Sequence, residues 1–236
     1  VAPLSYLRTN VEGTHNVLQA ARMHGLSSVV VTSSSEVYGS AEYVPIDERH
    51  PLKAQSPYAA SKTAADQLAL SFHRTFGLPV YIARPFNTYG PRQSARAIIP
   101  TIIAQILSGS RELKLGNLDP TRDLTFVSDT VAGFLSVSES SELLGHATHI
   151  GTNAEISIGE LVELIAELMG VEVKVSVDKV RRRPEGSEVE RLVCDNTKLT
   201  TQTNWRPQCD LRAGLTATID WLSANRQSYK ASIYNI

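Results

Sequence analysis

Apolar and polar positions along the chain fall into blocks that predict strands followed by helices. In residues 2–23, apolar or small side chains stand at Leu4, Leu7, Val11, Val17, Leu18, Ala20 and Ala21, an approximate helical period that Gly25 stops. Ser28, Val29, Val30 and Val31 follow as a short β-branched run, which reads as a buried parallel strand. The polar stretch Thr32, Ser33, Ser34, Ser35, Glu36, Val37, Tyr38, Gly39 therefore falls at that strand's carboxyl edge. The connection up to Ser56 holds Pro45, Asp47, Glu48, His50 and Pro51, too irregular for a regular element, and predicts a loop over a site. Ser56 then caps a helix with Pro57 at its first position, where a missing N–H costs nothing, and the helix runs to about Phe76 and Gly77.

Strands are predicted over residues 79–83, 113–116 and 121–127, with His149 inside a further one at 148–150. Helices are predicted from Ala97, with Pro100 near its start, from a Ser128 cap through Leu135, and over 161–169 behind Ser157 and Glu160, a capping-box pattern. No repeat or low-complexity tract interrupts this order.

Open α/β sheets place their ligands at the carboxyl ends of strands, so chemistry is expected at residues 32–39. Tyr58 and Lys62, four apart near the start of a helix, share one face; an ammonium beside a phenol favours the phenolate, which makes Tyr58 a candidate base.

Composition narrows the classes. The 236 residues are 42% hydrophobic, enough for one large domain or two small ones, and a formal net charge of -1 offers no pull toward nucleic acid or a membrane surface. Cys194 and Cys209 form neither a close pair nor a metal-spaced cluster, and suit a reducing cytoplasm. No apolar run approaches the length of a membrane helix, and no signal peptide opens the sequence. A soluble cytoplasmic protein acting on small polar molecules is expected. His146 and His149 have a spacing seen in metal sites but no third ligand nearby, so no metal is expected. Arg181, Arg182 and Arg183 are the one basic cluster, and without interleaved aromatic residues they do not read as a nucleic-acid patch.

The series formed by residues 32–39, by Ser56, Pro57, Tyr58 and Lys62, and by Arg84, Pro85, Phe86, Asn87, Thr88, Tyr89, Gly90, Pro91 and Arg92 resembles the extended short-chain dehydrogenase/reductase family, in particular its nucleotide-sugar epimerases and dehydratases. The resemblance runs almost from end to end. It implies a doubly wound parallel, Rossmann-type α/β sheet over residues 1–91 and a smaller α/β substrate domain over 92–236, with segments near 121–150 returning to the first.

For the site the resemblance implies NAD as cofactor, approached by Thr9, Ser33, Tyr58, Lys62 and Phe86. It implies substrate contacts from Asn87, Arg92, Pro100, Lys114, Arg122 and Arg183, and a catalytic set of Ser34, Ser35, Glu36, Tyr58 and Lys62. Gly13 is expected to let the first helix sit close to the sheet. A homodimer through helices near 3–24 and 57–76 is the family's usual assembly. The glycine-rich turn with which such folds begin is missing, since no G-x-G-x-x-G run occurs, and the chain reads as the carboxyl-terminal two thirds or so of an enzyme.

Glu36 decides between the two activities. A 4-epimerase needs only to oxidise C4 of the sugar and return hydride, for which Ser34 and Tyr58 suffice. Loss of water across C5 and C6 needs a base for the C5 hydrogen, and Glu36, two residues past Ser34, is placed for it. With Ser35 where one dehydratase subgroup has an acid, Glu36 is expected to serve both as base at C5 and as acid toward the C6 oxygen, as the GDP-mannose dehydratase pattern implies. Residues 33–39, 91–96 and 188–191 are most similar to the UDP-N-acetylglucosamine 4,6-dehydratases of legionaminic acid pathways. A nucleotide-sugar 4,6-dehydratase acting on a UDP- or GDP-linked N-acetylhexosamine is the expectation; a 4-epimerase, or a non-catalytic fragment lacking the pyrophosphate cradle, are the alternatives.

Overall fold

The computed structural model of the chain describes residues 3–178 and 189–229. Its organising element is a three-stranded parallel sheet in the order β1 (Val29–Thr32), β2 (Val80–Pro85), β7 (Ala147–Ile150), with Val31 opposite Ile82 and Ala83 opposite Thr148. The central strand is buried along almost its whole length, as expected of a strand covered on both faces. Val80 and Ile82 pack with Val29, Val31, Leu18, Ala69 and Phe72 on one side. Tyr81 and Ala83 pack with Val137, Ile150 and Trp205 on the other. The period-2 alternation of β2 thus feeds two cores from one strand.

The first face is covered by α2 (Gly13–Met23) and α3 (Pro57–Phe76). α2 continues from α1 (Pro3–Tyr6) through a π-helical segment, Leu7–Glu12. An added Cβ on Gly13 would meet only the carbonyl oxygen of Arg8, at 3.7 Å, so the expectation that Gly13 brings this helix close to the sheet is overturned. Helix–helix contact with α3 takes its place. α3 begins as its sequence directs, with the Ser56 hydroxyl accepting the Ala59 N–H at 3.1 Å and Pro57 in the first turn, and ends on Gly77 in the left-handed region.

The second face carries α5 (Val127–Glu139) and Trp205. The expected Ser128 cap is also overturned: β6 (Leu124–Phe126) runs straight into the helix, leaving no residue between them, and Ser128 sits inside the first turn. Ser157, by contrast, makes a complete capping box with Glu160 at the start of α6 (Ile158–Leu168).

A larger apolar cluster gathers α4 (Ile98–Leu107), α6 and α8 (Leu211–Ala224) with Leu113 and Leu115 of β4 (Glu112–Leu115) and with Tyr89 of β3 (Asn87–Tyr89). β3 pairs in parallel with β6, and β4 with β9 (Lys174–Val177). A small sheet joins β5 (Thr121–Arg122) to β8 (Ile156–Ser157) and β10 (Arg191–Leu192). The buried Asp123 carboxylate ties this region together by accepting the backbone N–H groups of Thr152, Asn153 and Cys194. Among the described residues no helix is long and apolar enough to cross a membrane, and no group of three or more His, Cys, Asp or Glu side chains could hold a metal ion.

Candidate active site

A cleft of about 670 Å³ opens between the carboxyl end of the parallel sheet and the α4, β4 and α6 layer. The strand β1 delivers Ser33, Ser34, Ser35 and Glu36 to its wall, and α3 delivers Tyr58 and Lys62. Phe86 and Asn87, following β2, complete the sheet side. The residues expected to act together at this edge therefore share one cavity, and Glu36 reaches it in spite of lying on a connecting turn.

That turn is a short 3₁₀ helix, Ser35–Tyr38. Ser34 caps it: its backbone is extended and its hydroxyl oxygen accepts the Glu36 N–H at 3.2 Å. The same hydroxyl lies close enough to the Tyr58 phenol to act on its ionisation. Gly39 closes the turn at a φ of 65°, where an added Cβ would fall on the Lys53 carbonyl oxygen.

Burial pushes the Tyr58 phenol above its ordinary value; the Ser34 hydroxyl pulls it back, while the Glu36 carboxylate and the Tyr6 phenol push it further up. Tyr6 is a neighbour that residue spacing did not single out; its ring meets that of Tyr58 edge-on with centroids 5.6 Å apart. Lys62 is half-buried and its ammonium is held below its usual range by that burial, partly offset by Asp66. It donates to the Thr32 carbonyl oxygen at 3.0 Å. Among the hydrogen bonds of the described residues, the Lys62 ammonium, expected from its i, i+4 spacing to stabilise the Tyr58 phenolate, goes to the strand end and not to the phenol.

Other expected positions are distributed unevenly. Arg122 lines the cleft, whereas Arg92, Pro100 and Lys114 do not. Arg92 is exposed with a φ of 68°, Pro100 is buried in α4, and the alternation of β4 turns Leu113 and Leu115 inward and leaves Lys114 outside. Thr9 is exposed on the π segment; its neighbour Asn10 instead reaches α3, donating to the Ser61 hydroxyl at 2.9 Å. The buried Ser33 hydroxyl donates to Asp66 at 2.6 Å. Arg183 lies outside the described residues. The cleft also takes Gln93, Arg96 and Asn117, which motif reading did not assign. Gln93 and Arg96 belong to the stretch 91–96 already compared with the dehydratases, but nothing in their spacing tells an inward side chain from an outward one.

His149 is fully buried with Nε2 at 2.5 Å from the Tyr38 hydroxyl, and burial together with the nearby Arg84 charge lowers its pKa to about 3. It is a neutral core histidine.

The chain is similar to known proteins over most of its length. The family described as GDP-mannose 4,6 dehydratase matches residues 1–218. The chain is 37% identical over 225 residues to a dTDP-glucose 4,6-dehydratase of Streptomyces antibioticus, covering 95% of this chain and 66% of that protein, so it spans just under two thirds of that relative's length. A putative UDP-glucose 4-epimerase of Methanocaldococcus jannaschii is 30% identical, covering 93% of this chain and 70% of that protein. The crystal structure of a dTDP-glucose 4,6-dehydratase from Streptomyces venezuelae, solved with NAD bound, superposes with a TM-score of 0.86 at 33% identity, covering 95% of this chain and 68% of that one. With a Rossmann-like parallel sheet, a cleft at its carboxyl edge and this extent of similarity, the chain belongs to the GDP-mannose 4,6-dehydratase family of nucleotide-sugar dehydratases and epimerases.

Proposed function

We propose that the protein is an NAD-dependent nucleotide-sugar 4,6-dehydratase. The observation that carries this reading is that Glu36 lines the same cleft as Ser34, Tyr58 and Lys62. A base is thereby available beside a redox site, which elimination requires and inversion at C4 does not.

The residues present fit the nicotinamide end of the cofactor. The Lys62 ammonium has three donors and gives one to Thr32, which leaves donors for the vicinal hydroxyls of a ribose at the end of β1. Phe86 supplies an apolar wall and Tyr58 sits on the neighbouring helix. Bound there, NAD would supply the acceptor and later the donor of hydride.

In the first step Tyr58, as phenolate, takes the proton of the C4 hydroxyl as hydride leaves C4, and the Ser34 hydroxyl donates to the forming carbonyl. Glu36 then removes the C5 proton, now acidic beside the ketone, and passes a proton to the departing C6 oxygen, so that one water is lost and a C5–C6 double bond forms. Hydride addition at C6 and protonation at C5 complete a 4-keto-6-deoxy sugar. Asn87, Arg96 and Arg122 line the part of the cleft that would hold sugar and diphosphate, a guanidinium being suited to bidentate phosphate contact. The expected roles of Pro100, Lys114 and Arg183 in holding the nucleotide belong to this reading, as does an approach of Thr9 and Ser33 to the cofactor, whereas Arg92, exposed outside the cleft lining, is given no such role.

The sugar nucleotide that the resemblance favours is a UDP- or GDP-linked N-acetylhexosamine, with a dTDP-hexose as the comparison substrate. The homodimer is part of the same reading: Leu4 and Leu7 of the first helix are 55% and 50% exposed and form an apolar groove with Val11 and Leu68 of α3, the kind of surface a second copy would cover.

The test is to incubate the full-length protein with NAD and each sugar nucleotide, following loss of one water by mass spectrometry. Glu36→Gln is expected to abolish water loss while leaving C4 oxidation visible as cofactor reduction. The second reading, a 4-epimerase, is favoured by the similarity to the putative UDP-glucose 4-epimerase; under it the Glu36→Gln protein keeps its turnover and the product has unchanged mass.

A further inference from the structure

Beneath the cleft lies a buried set of polar groups of which the mechanism uses Ser33 alone. Arg84 of β2 and Asp66 of α3 form an ion pair at 2.7 Å with side chains 5% and 1% exposed. The Arg84 guanidinium makes two further bonds: Nε donates to the Ser33 hydroxyl at 3.2 Å, and an Nη donates to the Tyr38 hydroxyl. Ser33 passes its own proton to the same Asp66 oxygen, and the Tyr38 hydroxyl lies at 2.5 Å from the His149 Nε2. Because Arg84 donates to the phenol oxygen, the Tyr38 proton goes to His149, which accepts through Nε2.

Ser33 precedes the Ser34 cap, and Tyr38 is the last residue of the 3₁₀ turn that carries Glu36. A single guanidinium therefore holds both ends of that turn, and its planar fork fixes the distance and direction between them. Removing two charges from water opposes folding, and an apolar pair of similar volume often serves stability as well or better. What such a pair supplies that apolar packing does not is directional registry, and here the registry falls on the two residues that frame the candidate base. Extra bonds pin the anchors themselves: the His149 backbone N–H donates to Glu48 at 3.0 Å, and Asp66 lies one helical turn beyond Lys62, so the same carboxylate also acts on the ammonium in the cleft.

We propose that Arg84 is a positioning residue for the proposed dehydration, with Asp66 and His149 as its supports: it clamps the turn at Ser33 and Tyr38 so that Ser34 and Glu36 keep a fixed separation in the cleft. The inference rests on the dehydratase reading for its effect on rate, but the clamp itself is independent of the reaction. The two ends are not equivalent. Tyr38 ends the 3₁₀ turn two residues past Glu36, and Ser33 adjoins Ser34. Loosening the Tyr38 end acts on proton removal from C5, and loosening the Ser33 end acts on C4 oxidation, which both products of the cycle need.

The test uses the full-length protein with Tyr38→Phe, Ser33→Ala and Arg84→Lys, the first two conserving the packing of folded variants. Amide hydrogen exchange is expected to rise in the peptide covering residues 33–39 of each, with the peptide covering 57–76 unchanged. In single-turnover assays Tyr38→Phe is expected to slow water loss about tenfold more than cofactor reduction, whereas Ser33→Ala slows both together. Arg84→Lys, which keeps the charge but loses the fork, behaves like the two combined. Unchanged exchange at 33–39 in Tyr38→Phe and Ser33→Ala overturns the clamp whatever the reaction is. Equal loss of both steps in Tyr38→Phe, with exchange raised, overturns its action on Glu36. A wild-type protein that reduces the cofactor but never loses water overturns the dehydratase reading instead, and leaves the clamp to be judged by exchange.

Discussion

The Ser34 hydroxyl serves two groups at once, accepting the Glu36 backbone N–H at 3.2 Å and drawing the Tyr58 phenol toward ionisation. It thereby couples the cap of the turn to the candidate base on the neighbouring helix. A donor facing a phenol oxygen favours the phenolate, and the Ser34 hydroxyl opposes the upward push of burial. Ser34→Ala is therefore expected to raise the Tyr58 pKa, moving the limb on which kcat/KM rises with pH to higher pH, and to lower the plateau about tenfold or more through loss of the carbonyl donor. A pH–rate profile of the two proteins checks it; a limb that stays in place removes Ser34 from the control of Tyr58.

Gly39 and Gly25 both have φ near 60°, but they differ in surroundings. Nothing lies within 4 Å of a Cβ built on Gly25, while one on Gly39 strikes the Lys53 carbonyl. Gly25→Ala should lose about 1 kcal/mol for the left-handed backbone alone, and Gly39→Ala distinctly more. Denaturant titration of the two variants gives the difference, and Gly39→Ala should also depress turnover because the shift it forces begins at the Glu36 turn.

The neutral, buried His149 makes stability depend on pH. Its folded pKa of about 3 lies below the ordinary 6.5, so the unfolded chain binds the proton first. Its contribution is whole above about pH 6.5 and is lost as the pH falls toward 3, at a slope of about 1.4 kcal/mol per pH unit. Glu48, whose carboxyl is raised by burial, has the opposite sign near the acid end. Subtracting the unfolding free energies of His149→Gln from those of the wild type across pH 7 to 4 isolates the histidine, and the difference should shrink as the pH falls.

Among the described residues, Arg96 and Arg122 are the guanidinium groups that line the cleft. Replacing either by Gln is expected to raise the KM for the sugar nucleotide about tenfold with a smaller effect on kcat, since phosphate contacts are made equally before and during reaction. Arg92→Gln, outside the lining, should change KM much less. Steady-state kinetics of the three variants decide whether the diphosphate follows the cleft as described.

The exposed Leu4 and Leu7 face offers a test of assembly. If a second copy covers it, Leu7→Glu yields a monomer by light scattering at concentrations where the wild type is a dimer. A wild type that is already monomeric would show that this groove has another occupant or none.

Sequence by itself determined the elements whose signals are local. The span 57–76 was legible because Ser56, Pro57 and Gly77 are start and stop signals that act within one turn of the helix. The strand Val29–Thr32 and the Ser157 capping box followed from similarly short-range rules, whereas the grouping of Ser34, Glu36, Tyr58 and Lys62 at one sheet edge came from the family resemblance. Ser128 failed as a cap because strand and helix abut, which depends on where β6 finds its partner β3. Only the tertiary structure decided which of several arginines line the cleft, that the Lys62 ammonium goes to Thr32 rather than to Tyr58, and that Ser33, Asp66, Arg84, Tyr38 and His149 meet beneath the turn. Those contacts join residues far apart in the chain. Their geometry is set by how sheet and helices pack, and a one-dimensional pattern carries the identity of each partner without the direction in which its side chain leaves the backbone.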